Sequence, residues 1–279
     1  MHKKKYKYLI LLLLSICIFG FGDSARATEK TSSAEILWGD HLPLVRAQLE
    51  AIDKEFADIT IEAGFNEIYG REELDLQTRE LCTITVLTVL NKTEELNLHL
   101  LAALRVGWTF EELREIMILC CIPAGWPSAI NALQYLYLWC EQNNIAPDNP
   151  LDLRDDYYTA DWYQIGYDKG VDLFGKRIWR KYLKKISSID TDLANFTVIN
   201  LIGKLLTRTL LDDRTRELCY VAACTALRDK LSLKMHIKGA LRSGATRIEV
   251  KEAIFHAGSY AGQDTIIQGI NIFKNRNKF

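Results

Sequence analysis

No segment of this chain alternates apolar and polar residues for long enough to make a strand, which leaves an all-α fold. No C-x-x-C pair occurs and no cysteine–histidine spacing suits a metal ion, so no dithiol centre, no metal and no cofactor is expected. No apolar run is long enough to span a bilayer: the N-terminal run, Leu9–Phe21, holds thirteen residues where about 20 are needed. It follows Lys3, Lys4, Lys5 and Lys7 and precedes Ala25-Arg26-Ala27, the basic, apolar, small-residue order of a secretory signal peptide. The expected product is a mature chain cleaved near Ala27, secreted or periplasmic, with no stable membrane anchor after processing.

Removing residues 1–27 takes the balance from 35 basic against 36 acidic residues to 30 against 35. With no Lys/Arg cluster expected in the remainder, neither nucleic acid nor an anionic membrane surface is an expected partner. Loss of Cys17 leaves six of seven cysteines, an even number that permits disulfides in an oxidising compartment. Cys82, Cys120, Cys121, Cys219 and Cys224 nevertheless sit in apolar helical stretches, where cysteine behaves as a small buried hydrophobe, and reduced thiols are expected. About 250 mature residues suit two domains, each with its own core.

What the chain does contain is an ungapped internal repeat. Residues 74–125 and 211–262 share 20 identities in 52 positions, 137 residues apart, where chance would give about three. Leu74-Asp75-x-x-Thr78-Arg79-Glu80-Leu81-Cys82 returns as Leu211-Asp212-x-x-Thr215-Arg216-Glu217-Leu218-Cys219. His99 matches His236, Gly107-x-Thr109-x-x-Glu112 matches Gly244-x-Thr246-x-x-Glu249, and Ala124-Gly125 matches Ala261-Gly262. A unit this long is a domain duplication, since solenoid repeats run roughly 20–50 residues.

Periodicity and caps give the elements. Glu35–Asp58 reads as one amphipathic helix with Leu44, Val45, Leu49, Ile52 and Phe56 on one face. Asp75 caps a helix through Leu90, and Asn91-Lys92-Thr93 breaks it. A second helix runs from Thr93 to about Val106 and stops at Gly107. The capping boxes at Thr109 and Thr246 open a third, and Pro127 suits the first turn of a fourth through about Gln142. Domain 1 spans 35–142, a linker rich in Pro, Asn and Asp spans 143–161, and domain 2 spans 162–279.

Glu80 and His99 are nineteen residues apart, as are Glu217 and His236, each pair spanning a helix–turn–helix. Counting to the turn leaves roughly 7 Å of axial offset at 1.5 Å per residue, so the pair needs helix crossing or a bridging water to meet. A carboxylate linked to an imidazole makes a proton relay. The plainer alternative is a polar pair that satisfies itself inside a core. Arg79 and Arg216 could bind a substrate carboxylate, or pair with Glu112 or Glu115. His256 and Tyr260 share a helix face in the second copy alone, where the first has Leu119 and Pro123. Convergent titratable groups mark the better site. Glu217 and His236, with Arg216, His256 and Tyr260 as substrate-binding residues, are therefore the leading constellation, and Glu80 and His99 its counterpart.

The Leu-Asp-x-x-Thr-Arg-Glu-Leu string, the following His, the Gly-x-Thr-x-x-Glu box and the Ala-Gly pair together resemble the carboxymuconolactone decarboxylase family, which includes the AhpD-type alkylhydroperoxidases. The resemblance covers residues 40–142 and 163–275. It implies two tandem AhpD-like all-α domains, a small-molecule substrate and a homo-oligomer, a trimer-like ring of fused pairs. It also implies a cofactor-free lyase acting on a small carboxylated or lactone substrate, with Glu80 and His99 or Glu217 and His236 matching the family's Glu and His. The alternative is the peroxidase branch, an antioxidant activity that uses a C-x-x-C; Lys92 and Glu95, and Asp229 and Ser232, stand at those positions here. A non-catalytic binding or assembly module is the remaining reading.

Overall fold

The computed structural model describes residues 31–146 and 154–275; the expected signal peptide lies outside the described residues, as does part of the linker. Among the described residues there is helix and no strand. In chain order the α-helices are α1 Ser33–Trp38, α2 Leu42–Glu50, α3 Lys54–Ile59, α4 Leu76–Val89, α5 Leu96–Arg105, α6 Phe110–Leu119, α7 Cys121–Ala124 and α8 Trp126–Gln142. After the linker come α9 Trp162–Phe174, α10 Lys176–Ser187, α11 Thr191–Phe196, α12 Asp213–Ala226, α13 Lys230–Arg242, α14 Arg247–Ala261 and α15 Gln263–Lys274.

Local chemistry explains the boundaries. Asp75 accepts from the Thr78 amide at 2.7 Å and Asp212 from that of Thr215 at 2.9 Å, which starts α4 and α12 at the same register. Both capping boxes form, at Thr109 with Glu112 and at Thr246 with Glu249. The single helix expected over Glu35–Asp58 is in fact three. Gly39, at φ 48°, ends α1, and a side chain there would run into the Arg105 guanidinium. Asp53 then restarts the chain as α3 by accepting from the Phe56 amide.

A π-helix follows in both copies, Thr60–Ile68 and Thr197–Leu205, nine residues each and 137 apart. Such wide turns are rare and often accompany functional sites. Here the first one delivers Phe65 to the edge of Trp38, ring centroids 4.1 Å apart, and to the neighbourhood of His99.

The two repeats do not bury separate cores. Thr78–Val89 of α4 and Thr215–Ala226 of α12 are buried along their whole length, so each helix needs neighbours on every side, and its own copy covers only some of them. α4 packs against α12 and α14 of the other copy, and one apolar cluster runs from Leu81 and Ile84 through Leu136 to Leu218 and Ile254. Cys82 and its counterpart Cys219 meet thiol to thiol across this junction; that hydrogen bond, with burial, pushes the Cys82 pKa well up.

Ion pairs cross the same junction, and they correct the expected arginine partners. Arg79 reaches neither Glu112 nor Glu115; its Nη2 lies 3.0 Å from Glu252 of the second copy, which Arg71 also grips with Nε at 2.7 Å and Nη2 at 2.8 Å. The reciprocal contact is Arg208 Nε to Glu115 at 2.7 Å. Arg216 instead bonds Asp213 and the Arg208 carbonyl, because Asp213 stands where the first copy has Leu76. Burial alone would raise the Glu252 pKa, but hydrogen bonds from Arg71 and Arg79 outweigh it and lower the value below 4.5.

A carboxyl held below its unfolded pKa stabilises the fold above about pH 4.5, and that contribution fades as pH falls through the folded value. Arg79→Met should therefore cost about 2–4 kcal/mol at pH 7, since it leaves a buried carboxylate short of one partner. The deficit should narrow below pH 4.5 as Glu252 protonates. Urea unfolding at both pH values tests this; a deficit under about 0.5 kcal/mol at pH 7 would show the pair to be dispensable.

Candidate functional site

Both Glu–His pairs close directly, without the bridging water that the residue count allowed for. His99 Nδ1 lies 2.6 Å from Glu80 Oε1, and His236 Nδ1 lies 2.9 Å from Glu217 Oε2. Both carboxylates are buried. In the second copy the approach requires Gly239: a Cβ there would lie 2.1 Å from Glu217 Oε2. With a carboxylate accepting at Nδ1, that nitrogen carries the hydrogen and Nε2 becomes the position at which a proton can be taken or given.

The pairs differ in what meets Nε2. His256 and Tyr260 were expected beside Glu217 and His236; α14 crosses to the first copy and places them beside Glu80 and His99. Tyr260 Oη is 3.3 Å from His99 Nε2 and 2.5 Å from Tyr69 Oη. Tyr69 is 2.6 Å from Thr83 Oγ1, and Thr83 is 2.8 Å from His256 Nε2. A chain of hydrogen bonds thus runs Glu80, His99, Tyr260, Tyr69, Thr83, His256, with its members drawn from both repeats. Burial raises the Tyr69 and Tyr260 pKa values, so both hydroxyls stay protonated donors. Burial, with Arg79 and His99 nearby, lowers His256 to about 3, which keeps it neutral at ordinary pH.

His99 and Tyr260 open into a cavity of about 360 Å³ walled by Val45, Leu49, Ile52, Phe65 and Leu98, with Gln48 and Asn97 as polar contacts and Glu94 and Glu95 at the rim. The second pair is surrounded differently. Tyr220 occupies the position of Thr83, stacks on His236 with ring centroids 4.6 Å apart, and donates to the Leu119 carbonyl at 3.0 Å. That carbonyl has no intrahelical donor because Pro123, four residues on, has no N–H. Pro123 also explains why α6 and α7 are broken at Cys120 while α14 runs unbroken to Ala261. Arg216, proposed as a substrate contact, is tied to Asp213. Asp229 caps α13, accepting from the Ser232 amide at 3.1 Å and from the Ser232 hydroxyl.

Tyr69, Thr83, Arg71 and Arg208 escaped the sequence reading. The two arginines are 137 apart, so extending the alignment three residues upstream would have found them. Tyr69 and Thr83 align with Leu206 and Tyr220 of the other copy, so no repeat signal marks them.

Against known proteins, residues 54–137 and 197–275 each match the family model described as Carboxymuconolactone decarboxylase family. The 4-carboxymuconolactone decarboxylase of Acinetobacter baylyi is 30% identical over 114 residues, which is 41% of this chain and 85% of that protein. The nitrosuccinic acid decarboxylase of Metarhizium robertsii is 31% identical over 68 residues, 24% of this chain and 48% of that protein.

The six described cysteines are free and buried. Burial raises the Cys120 and Cys224 thiols well above their ordinary range and takes Cys121 to about 12 and Cys140 to about 11. A peroxide needs an accessible thiolate to attack it. Thiol-dependent peroxide consumption should be negligible, measured with a dithiol reductant. Rapid consumption abolished by alkylation would overturn this.

Proposed function

Because the chain belongs to the carboxymuconolactone decarboxylase family, as a tandem member matched twice along its length, we propose that it is a cofactor-free decarboxylase acting on a small carboxylated or lactone substrate, with its reacting centre at Glu80, His99 and Tyr260. The family and the two decarboxylase relatives support a decarboxylase-like function. The observation that carries the assignment of the centre is that His99 and Tyr260, hydrogen-bonded to each other, both line a cavity. The criterion that nominated the second copy, convergence of titratable groups in a pocket, now selects the first.

In the proposed reaction the bond from carbon to the substrate carboxylate breaks. Its electron pair runs into the conjugated carbonyl, CO₂ leaves, and His99 Nε2 delivers a proton to carbon. The apolar wall of Val45, Leu49, Ile52, Phe65 and Leu98 carries no Lys or Arg. A carboxylate held against it meets no lysine or arginine and loses its charge as CO₂ departs. With substrate bound, the Tyr260 hydroxyl, which lines the same cavity, turns its hydrogen to the dienolate oxygen while Tyr69 donates to Tyr260. Glu80 holds the ring in the tautomer that leaves Nε2 for proton transfer.

The hydroxyl chain suits this cycle because its hydrogens can point either way. With His99 doubly protonated, Nε2 donates to Tyr260, Tyr260 to Tyr69 and Tyr69 to Thr83, which donates to the Arg79 carbonyl 3.2 Å away. With Nε2 bare, the first three bonds reverse and Tyr260 donates to His99. Without substrate, each proton state of His99 therefore gives every hydroxyl of the chain an acceptor, and neither requires heavy atoms to move.

Release of CO₂ from a panel of small carboxylated lactones and unsaturated acids identifies the substrate. On it, His99→Ala should lower kcat by about 10²–10⁴-fold, Tyr260→Phe by about tenfold, and His236→Ala by less than about threefold. Full turnover by His99→Ala, or loss on His236→Ala alone, would move the centre to the second copy; no CO₂ from any acid would end the decarboxylase reading.

A further inference from the structure

The counterpart cavity in the second copy, about 480 Å³, has a rim of opposite character. Arg177, Lys181, Lys185 and Lys234 surround it, its floor is Ile178, Tyr182, Leu231 and Met235, and no acidic residue lines it. This corrects the expectation that the mature chain would hold no basic cluster: α10 concentrates six basic residues between Lys176 and Lys185. The positions 137 earlier show how the two cavities diverged. Lys181 corresponds to Leu44, Lys185 to Gln48, Lys234 to Asn97, and Leu231 to Glu94. These four differences all fall on residues that line the second cavity.

Arg177, Lys181 and Lys185 are in no ion pair among the described residues. The nearby acid, Asp229, is engaged with the Leu231 and Ser232 amides at the start of α13. A chain of formal net charge −1 has thus collected cations around one concave, half-apolar surface. Like charges held together in this way repel one another until a counter-ion joins them, and a cleft concentrates their field. Arg177, Lys181 and Lys185 also lie outside the family-matched segments 54–137 and 197–275, so the family match does not account for them.

We propose that the cavity between α10 and α13 binds a small organic molecule carrying two or three anionic groups, carboxylates or phosphates. Arg177, Lys181 and Lys185 take the charged groups and the Ile178–Tyr182–Leu231–Met235 floor takes the carbon skeleton. The site stands apart from the reacting centre at His99, so it does not rest on the proposed reaction.

Calorimetric titration at low salt of the chain lacking residues 1–27 tests it, with propane-1,2,3-tricarboxylate, glycerol 3-phosphate and propanoate as probes. One or both multivalent anions should bind, at least about tenfold more tightly than propanoate, and the tighter of the two names the anionic group. Lys181→Gln with Lys185→Gln should weaken binding about tenfold. Arg177→Gln, at an exposed position, should weaken it separately, while Glu94→Gln with Glu95→Gln and His99→Ala should leave it unchanged. Equal affinity for propanoate, unchanged affinity in both the lysine and the arginine variants, or no binding of any probe would overturn the proposal. So would sedimentation with phosphatidylserine vesicles in the absence of small-anion binding, which would give the basic face to a membrane. A protein that binds the tricarboxylate yet releases no CO₂ would retain this site and lose only the decarboxylase reading.

Discussion

Two helices that have no exposed face set the rest of the structure. α4 and α12 each present buried residues all the way round, and no single repeat can surround such a helix. Each is therefore completed by the other copy, and the charged residues travel with the packing. Glu252 of the second repeat sits 1% exposed against Arg79, itself fully buried. A buried charge pair of this kind is weak evidence for stability but strong evidence for register, because a slip of one turn would strand both charges. The same crossing that seats Glu252 also carries His256 and Tyr260 to the first copy, so the composite site follows from how the core is closed.

The divergence between the two sites is a set of coupled local exchanges. Pro123 removes a backbone donor, which frees the Leu119 carbonyl; Tyr220, where the first copy has Thr83, supplies the hydroxyl that satisfies it. In the other site Tyr260 stands for Pro123 and His256 for Leu119, the helix stays intact, and the small Thr83 leaves space for the imidazole. Any one of these replacements made alone would orphan a buried polar group or overfill the core. The Glu–His pair survives in both copies because its hydrogen bond lies within one repeat and is indifferent to these exchanges.

Most of the fold was legible because its signals are local. Asp75, Thr109 and Thr246 are caps that act over three residues, and they predicted helix starts that the structure shows. The break of Glu35–Asp58 into three helices was hidden by its apolar period, which a turn at Gly39 does not interrupt. The Glu–His spacing predicted which residues meet, though residue counting overstated their axial offset. Which copy each side chain serves was not legible at all. A repeat alignment pairs Glu115 with Glu252 and Leu119 with His256 as equivalents, and carries no sign that a helix crosses to the other copy. Partners separated by 173 residues, Arg79 with Glu252 and Thr83 with His256, are fixed only by how the two buried helices cross.

Holding both repeats in one chain is what allows the two cavities to differ. In an assembly of identical subunits every site of a kind has the same lining, because symmetry copies each substitution to all of them. A fused pair breaks that constraint: Lys181 can stand opposite Leu44, and Lys234 opposite Asn97, with no change forced on the other half. In the core, α4 and α12 pack on each other, so exchanges there such as Ile84 for Val221 and Leu87 for Cys224 stay apolar and are felt by both helices. Arg79, Glu80, His99 and Glu115 remain matched by Arg216, Glu217, His236 and Glu252, while residues that line the cavities or meet the histidines differ between the copies. The duplication keeps one hydrogen-bonded Glu–His pair in each half and varies what surrounds it, so the two halves present different surfaces from the same fold.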